Sequence, residues 1–314
     1  MNSSTNAIEV HGISKRYGDH LAVDNSSFEV KRGEIFSMLG PNGAGKTTTI
    51  RMILDIIKPD SGSITVLGEP FKEETKEKIG YLPEERGLYK NVKLVELLTY
   101  LGTLKGMKSQ EATARATKLL DEVGLGENKN SKVSELSRGM SQKVQFVATI
   151  MHKPSLLIID EPFSGLDPVN TEMIKNMIYK LKADGATIVM SIHEMHQVEE
   201  MSDRLLMYNH GKRVLYGAVD EVRQQYAENA VLVSVQGDST RLAELPGVVK
   251  TQPEENGRSV KLTLAQGTTP DDIMQHMAAD PAIHVRSFAL AVPRLNDIFI
   301  RVAGGNGNGN GYTG

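Results

Sequence analysis

The fold of this chain is decided by one stretch, Gly40-Pro41-Asn42-Gly43-Ala44-Gly45-Lys46-Thr47. It follows an apolar run at residues 35–39 and precedes an amphipathic run at residues 48–57. The stretch matches the phosphate-loop pattern, in which a glycine and four free positions are followed by Gly-Lys-Thr. The glycines permit a tight turn close to a ligand, and the helix after the turn directs free N–H groups at that ligand. We therefore predict a strand, a phosphate-binding loop and a helix.

A polyphosphate is the ligand that suits this loop. Lys46 supplies a positive charge for the β- and γ-phosphates of a nucleotide, and Thr47 supplies a hydroxyl group for Mg²⁺. The alternative is a glycine-rich turn with an unrelated lysine. It is the weaker interpretation because the sequence on either side of the motif predicts the strand and the helix that flank a phosphate-binding loop.

Composition restricts the class of protein. The 314 residues are enough for one large domain and a small one. An apolar content of 39% and a charged content of 24% exclude a wholly disordered chain. A net charge of -3 argues against bulk, non-specific binding of nucleic acid. Cysteine is absent, which excludes a thiolate site. No apolar run reaches about 18 residues, so a role at a membrane needs another chain to span it.

Polar residues follow the predicted strands of a parallel sheet. The continuous apolar run at residues 156–159 is typical of a strand buried on both faces, and Asp160 and Glu161 come directly after it. The apolar run at residues 187–190 leads in the same way to His193. Ligands bind at the carboxyl ends of strands in open α/β sheets. We therefore expect these side chains to lie beside the phosphate loop.

The two carboxylates require partners, because burying unpaired charge is unfavourable. Asp160 fits the aspartate that holds Mg²⁺, and Glu161 can act as the general base that activates water. A structural ion pair is the alternative, and it would be preferred if the phosphate loop were absent. A lone histidine such as His193 is more often packed or solvated than catalytic, so its predicted position counts for more than its identity.

Local patterns add two candidates. Tyr17 offers a flat ring ahead of the phosphate loop on which an adenine can stack, although a lone tyrosine at a turn is more often ordinary packing. Ser137 can cap a helix and so present N–H donors to an anion, or that helix is simply a capped core element. The periodicity of residues 92–124 predicts a helical region with a break at residues 105–109.

The pattern changes beyond Asn229 to short strands and helices in the order βαββαβ, the ferredoxin-like arrangement. We predict a phosphate-loop domain at residues 1–228, an accessory α+β domain at 229–303 and a disordered Gly/Asn tail at 304–314. The predicted fold class is α/β, a P-loop NTPase with a mainly parallel central sheet, an antiparallel β part and a helical subdomain, followed by the small ferredoxin-like domain.

Together these motifs resemble the ATP-binding subunit of an ABC transporter over residues 8–225. Besides the phosphate loop, the resemblance rests on four motifs in this order: Leu136-Ser137-Arg138-Gly139-Met140, Ile159-Asp160-Glu161-Pro162, Ser164-Gly165-Leu166-Asp167 and His193. The segment at residues 293–299 is similar to the extension of bacterial subunits of the sodium-export, gliding-motility and drug-resistance type.

The resemblance implies a role for each motif. Nucleotide contacts would come from Tyr17, Gly40, Pro41, Asn42, Gly43, Ala44, Gly45, Lys46, Thr47, Thr48, Ser137, Gly139 and Asp167. Catalysis would rest on Glu161, His193 and Lys46, and Mg²⁺ would be held by Thr47, Asp160 and Glu84. The resemblance also implies that Ser137 and Gly139 would bind the γ-phosphate held by a second subunit and that Asp167 would lie across the same interface.

Two features depart from the family pattern. Glu84 stands where the family usually has Gln, in a loop that senses Mg²⁺ and touches the membrane subunit. A carboxylate can still bind Mg²⁺, but it adds negative charge near the γ-phosphate. The signature usually reads Leu-Ser-Gly-Gly-Gln, and here Arg138 and Met140 replace its third and fifth residues.

The predicted function is an ATPase that uses ATP and Mg²⁺, pairs with a second copy or a homologous subunit, and drives transport, export foremost, through a separate transmembrane permease. It would lie at the cytoplasmic face of the cell membrane, with no nucleic-acid partner. The alternative is a soluble ABC-type ATPase that acts on nucleic acid or the ribosome. The acidic balance, the single ATPase unit and the lack of a long coiled coil disfavour it. A P-loop kinase comes third, since it would leave residues 137–140 without a role.

Overall fold

A computed structural model describes residues 5–84, 87–254, 257 and 259–304. The chain divides into two compact units, with the boundary between Val219 and Asp220. The predicted tail at residues 304–314 lies outside the described residues except for Gly304, which ends a helix.

The first unit contains nine described strands: β1 (Asn6–Tyr17), β2 (His20–Lys31), β3 (Ile35–Leu39), β4 (Ser61–Val66), β5 (Ile79–Leu82), β6 (Leu156–Asp160), β7 (Thr187–Ser191), β8 (Arg204–Asn209) and β9 (Lys212–Ala218). Its described α-helices are α1 (Lys46–Ile53), α2 (Leu94–Leu104), α3 (Ser109–Glu122), α4 (Arg138–Ile150), α5 (Pro168–Ala183), α6 (Met195–Met201) and α7 (Val219–Gln225), the last crossing into the second unit. Short 3₁₀ helices cover Glu73–Lys78, Gly126–Asn128 and Val133–Glu135.

The central sheet has the strand order β5-β6-β7-β3-β8-β9. All neighbours pair in parallel except β8 and β9, which form an antiparallel hairpin. Every residue of β3, β6 and β7 is buried, as continuous apolar runs predict. These three strands are neighbours, so their carboxyl ends meet at one edge of the sheet. The predicted mainly parallel sheet is confirmed.

A second, antiparallel sheet has the order β2-β1-β4. It shares the core with the central sheet, and the rings of Phe28 and Phe36 stack with their centroids 5.7 Å apart. The apolar pattern of the sequence predicts a strand only over residues 8–10, but β1 continues to Tyr17. The prediction was too short because Lys15 and Arg16 bond to Asp60 near β4 and lie outside the apolar pattern that marks a strand.

Helices α2 and α3 form the predicted helical region, and the break between them falls where the sequence places it. Their buried faces are apolar, with Leu94, Leu97 and Leu98 on α2 and Leu119 and Leu120 on α3. Both helices contact α4, so they pack as a layer against the helix that begins at the signature motif.

The second unit contains β10 (Ala230–Gln236), β11 (Val248–Pro253), β12 (Val260–Leu264), β13 (His284–Leu290), α8 (Pro270–Ala279) and α9 (Leu295–Gly304). Its sheet is antiparallel throughout, with the order β11-β12-β10-β13. Val231, Val233 and Leu262 of the sheet share a buried cluster with Ile273 and Met277 of α8. The βαββαβ order is confirmed, although the first helix is reduced to the 3₁₀ turn Thr240–Glu244.

Candidate nucleotide site

The phosphate loop follows β3, and its glycines are required by space as well as by backbone angle. Gly40 has φ +137°, and a Cβ there would lie 2.3 Å from the carbonyl oxygen of Tyr208. Gly45 has φ +114°, and a Cβ there would lie 2.5 Å from the carbonyl oxygen of Ala22. Residues with a side chain cannot fit at either position. The loop is therefore wedged between β8 and β2.

Lys46 opens α1 and turns its side chain back into the loop. Its ammonium donates to the carbonyl oxygens of Gly40 at 2.6 Å and Pro41 at 3.3 Å. The residue is only 6% exposed. Burial lowers the pKa of Lys46, while the negative charges of Glu161, Asp160 and Glu84 act to raise it. The ammonium is thus held within the loop by its carbonyl oxygens.

Thr47 and Asp160 bring two oxygen ligands together. The Thr47 hydroxyl donates to Oδ2 of Asp160 at 3.1 Å. Adjacent ligands of an octahedral Mg²⁺ ion, bound at about 2.0–2.1 Å, stand about 2.9 Å apart. Hydroxyl and carboxylate oxygens are also the donors that this hard cation prefers. The pair therefore fits a shared Mg²⁺ ion with little movement.

Glu161 follows β6 in a left-handed conformation, with φ +53°. Its backbone N–H donates to the carbonyl oxygen of Ser191 at 3.2 Å and to the Ser191 hydroxyl at 3.3 Å. Its carboxylate lies 2.7 Å from Nδ1 of His193. Burial raises the pKa of Glu161, and the hydrogen bond with His193 and the charges of His193 and Lys46 oppose that rise. Burial thus favours a carboxylate that can take up a proton.

His193 lies at the rim of the site. Its side chain is 55% exposed, and its second ring nitrogen lies 3.8 Å from the carboxylate of Glu194. The imidazole therefore bridges the partly buried Glu161 and the solvent. Together, Lys46, Thr47, Asp160, Glu161 and His193 form what we call the phosphate cluster.

Ser137, Gly139 and Asp167 form a second group, which we call the signature cluster. Ser137 caps α4, as predicted, by accepting from the N–H of Met140 at 3.3 Å. Asp167 caps α5 by accepting from the N–H of Asn170 at 2.9 Å, and this bond lowers the pKa of Asp167. Both caps are exposed.

The start of α4 lies against the turn that leads to Asp167. The guanidinium of Arg138 lies 3.2 Å from the position that a Cβ of Gly165 would occupy. The side-chain amide of Gln142 donates to the carbonyl oxygen of Ser164 at 2.6 Å. Because residues 161–164 directly follow β6, this turn joins the signature cluster to the phosphate cluster along the chain.

Tyr17, Glu84 and Ala44 were also predicted as site residues and lie outside the two clusters as defined. Tyr17 ends β1 with its side chain 46% exposed, and the ammonium of Lys15 lies 6.0 Å from its ring centroid. Glu84 is exposed beyond β5, and its charge acts on Lys46. Within the loop, the N–H of Ala44 donates to the carbonyl oxygen of Pro41 at 3.1 Å.

Ser191 was not among the predicted site residues. It ends β7 opposite Asp160, donates its hydroxyl to Oδ1 of Asp160, and accepts from the backbone of Glu161. It is fully buried. The signal in the sequence was a hydroxyl residue at the end of a buried strand, but only the pairing of β6 with β7 shows that it faces the carboxylates.

Among the described residues, no helix combines the length and the apolar character that crossing a bilayer requires.

A parallel sheet that carries a phosphate loop, its lysine and a strand-end aspartate at one edge defines a P-loop NTPase. Residues 23–164 match the family model described as ABC transporter, and residues 217–303 match the C-terminal domain of DrrA1-3-like ATP-binding proteins. The chain belongs to the ATP-binding proteins of ABC transporters, as the sequence motifs predicted.

Similar proteins cover nearly the whole chain. The uncharacterised ABC transporter ATP-binding protein YhaQ of Bacillus subtilis (strain 168) is 40% identical over 95% of this chain and 98% of its own length. The Nod factor export ATP-binding protein I of Bradyrhizobium diazoefficiens is 33% identical over 97% of this chain and 98% of its own length. A solved structure of an ATP-binding subunit of an ABC transporter is 33% identical with a TM-score of 0.66, covering 70% of this chain and 93% of that one.

Proposed function

We propose that this chain is the ATP-hydrolysing subunit of an exporter and works through a separate membrane-spanning permease. Residues 1–228 would form the ATPase domain and residues 229–303 an accessory domain. The observation that carries the proposal is the phosphate cluster, in which a buried lysine, a hydroxyl–carboxylate pair and a glutamate–histidine pair meet at one sheet edge.

Each side chain of the phosphate cluster has a task in hydrolysis. Lys46 and the N–H groups at the start of α1 bind the β- and γ-phosphates of ATP. Thr47 and Asp160, with Glu84 nearby, would hold Mg²⁺, which neutralises developing charge on the phosphates. Glu161 accepts the proton of the attacking water, because burial favours its protonation. His193, whose Nδ1 lies 2.7 Å from that carboxylate, orients it and contacts the γ-phosphate.

The signature cluster supports a requirement for a second subunit. Ser137, Gly139 and the N–H groups at the start of α4 form an anion-binding helix end on the surface. In the proposed dimer they bind the γ-phosphate held by the other subunit, with Asp167 at the same interface. Two chains then enclose two ATP molecules, and ATP favours this closed state because it binds that state more tightly. Opening after hydrolysis moves the permease.

Export is the direction that the similar proteins favour. Two of them are named for Nod factor export and for linearmycin resistance. In the proposed assembly the subunit is held at the cytoplasmic face of the membrane by its permease, and the loop of Glu84 contacts that permease. Substrate selection then belongs to the permease.

The test is to purify the full chain from its native membrane with a mild detergent. A polytopic membrane protein that co-purifies in stoichiometric amount, and raises the ATPase rate on reconstitution, is the expected result. Co-purification of ribosomes or DNA instead would overturn the transport function and favour a soluble ABC-type ATPase. A chain with a substituted Glu161 serves as the control, since it should still bind the permease but not hydrolyse ATP.

A further inference from the structure

Tyr208 lies behind the phosphate loop in the interior of the first unit. It belongs to β8, is fully buried, and shares the core with Ile50 of α1 and Phe36 of β3. A buried phenol hydroxyl needs hydrogen-bond partners. Its partners come from two other elements: Ser26 Oγ of β2 lies 2.7 Å away, and the hydroxyl of Thr49 on α1 donates to it at 3.4 Å. The hydroxyl therefore joins three elements that surround the loop.

Tyr208 is connected to both ends of the loop. At the first end, its carbonyl oxygen occupies the space where a side chain of Gly40 would lie. The carbonyl of Gly40 is the one that accepts from Lys46 at 2.6 Å. At the far end, the hydroxyl of Thr49 donates to the carbonyl oxygen of Gly45 at 2.9 Å and shares its hydrogen with Tyr208.

The turn after β8 adds a further contact with the loop. The N–H of Gly211 donates to the carbonyl oxygen of Ala44 at 3.1 Å, and its own carbonyl accepts from the N–H of Asp24 in β2 at 2.9 Å. The strand that carries Tyr208 and the turn that follows it thus contact Gly40 and Ala44, and the Tyr208 hydroxyl is linked to Gly45 through Thr49. Gly40, Ala44 and Gly45 are buried, whereas Asn42 and Gly43 in the same loop are exposed.

We infer that Tyr208 is a positioning residue for nucleotide binding. Its hydroxyl fixes the loop through Thr49 and Ser26, so that Lys46 and the N–H groups of the loop stay aimed at the phosphates. The inference rests on the nucleotide site of the proposed function, but not on dimerisation, hydrolysis or transport. Because Tyr208 is fully buried and its hydroxyl bonds to Ser26 and Thr49, its hydroxyl affects ATP affinity and not the chemical step.

The test is Tyr208→Phe, which keeps the ring and the backbone carbonyl and removes only the hydroxyl. Binding of the non-hydrolysable analogue AMP-PNP with Mg²⁺ is measured by calorimetry, and KM and kcat by phosphate release. We expect affinity to fall and KM to rise by about threefold to tenfold, the effect of losing one or two neutral hydrogen bonds, with kcat within about twofold of wild type. Unchanged affinity and KM would overturn the inference.

Tyr216→Phe is the matched control. Tyr216 lies on β9, and its hydroxyl also bonds to β2, by donating to the carbonyl oxygen of Glu29 at 3.2 Å and accepting from its N–H at 3.1 Å. A purely structural effect of losing a tyrosine hydroxyl would therefore appear in both variants. We expect nucleotide affinity to stay at the wild-type value in Tyr216→Phe, and an equal loss in the two variants would count against a positioning role.

Thr49→Val provides an independent measurement of the same connection. If the hydroxyls of Thr49 and Tyr208 act through one path, the double variant binds AMP-PNP about as weakly as the weaker single variant. Fully additive losses would contradict that path.

Should Tyr208→Phe fail to fold, Ser26→Ala takes its place, and wild-type affinity there would overturn the inference. A wild-type chain that binds no AMP-PNP would sink the proposed function as well, whereas normal wild-type binding with unaffected variants would remove only the role of Tyr208.

Discussion

The phosphate cluster and the signature cluster differ in how far a single chain completes them. In the phosphate cluster Lys46 and Asp160 are buried, and each is bonded within the loop or to a neighbouring residue of the site. In the signature cluster Ser137 and Asp167 are exposed and cap the helices that follow them. Buried charge must be matched inside the folded chain, whereas exposed donors remain available to a ligand held by another molecule. Under the proposed function, ATP binding would therefore need one chain, and hydrolysis would need two.

Glu161→Gln should have the largest effect. The amide cannot accept a proton from water, so we expect turnover to fall by about 100-fold or more, with ATP binding and ATP-driven dimerisation retained. Phosphate release measures turnover, and size-exclusion chromatography with ATP measures dimerisation. Glu172→Gln, an exposed position on α5, is the control and should keep the wild-type rate. A normal rate in Glu161→Gln would refute the general-base role.

Lys46→Met tests whether the single chain binds ATP through the phosphate cluster. Removing the ammonium takes away charge-assisted hydrogen bonds, so we expect the ATP affinity of the isolated chain to fall by about tenfold to a hundredfold. Titration calorimetry measures the affinity. Lys58→Met removes an exposed lysine that pairs with Asp55 and should leave the affinity unchanged. Equal affinities for wild type and Lys46→Met would show that the loop is not the binding site.

Ser137→Asp separates the two clusters. Asp is as good a helix cap as Ser, so α4 is kept, but its negative charge repels a γ-phosphate. We expect the ATP affinity of the isolated chain to stay within about twofold, and turnover and ATP-driven dimerisation to fall by about tenfold. Thr269→Asp, at the cap of α8 in the second unit, is the matched control. A loss of affinity in the isolated chain would mean that the signature cluster acts within one subunit.

Ser191→Ala should have a smaller effect, because Ser191 positions other groups and does not bind phosphate. Asp160 loses a hydrogen-bond donor, and we expect the Mg²⁺ concentration needed for half-maximal turnover to rise by about threefold to tenfold. Ser37→Ala is the control, since Ser37 is a fully buried serine of the adjacent strand that bonds to Ser202. An unchanged Mg²⁺ dependence would exclude this role for Ser191.

The pH profile of turnover gives the smallest expected effect. Glu161 acts as a base only when deprotonated, and burial raises its pKa above the ordinary value of 4.5. As pH falls through this raised pKa the base becomes protonated, so turnover should decline at a higher pH than for an ordinary glutamate. The rate is measured across the acidic range with ATP saturating. A decline placed at or below 4.5 would contradict a raised pKa.

The sequence predicted which motifs form the phosphate cluster better than it predicted how they are arranged. The phosphate loop and the pair Asp160–Glu161 were recognisable because they follow apolar runs that can only be buried strands. Ser191 and Tyr208 were not, since a serine or a tyrosine in a strand carries no pattern of its own. Their roles depend on which strands are neighbours, and strand order arises from contacts between residues far apart in the chain.

The sequence by itself determined the class of protein and the order of elements in both units, because glycine spacing and apolar periodicity are local properties of the chain. Only the tertiary structure decided that β7 lies between β3 and β6, which brings Ser191 to Asp160 and His193 to Glu161. It also showed that β8 supports the loop from behind. These contacts depend on sheet order and burial, which form only when the distant parts of the chain pack together.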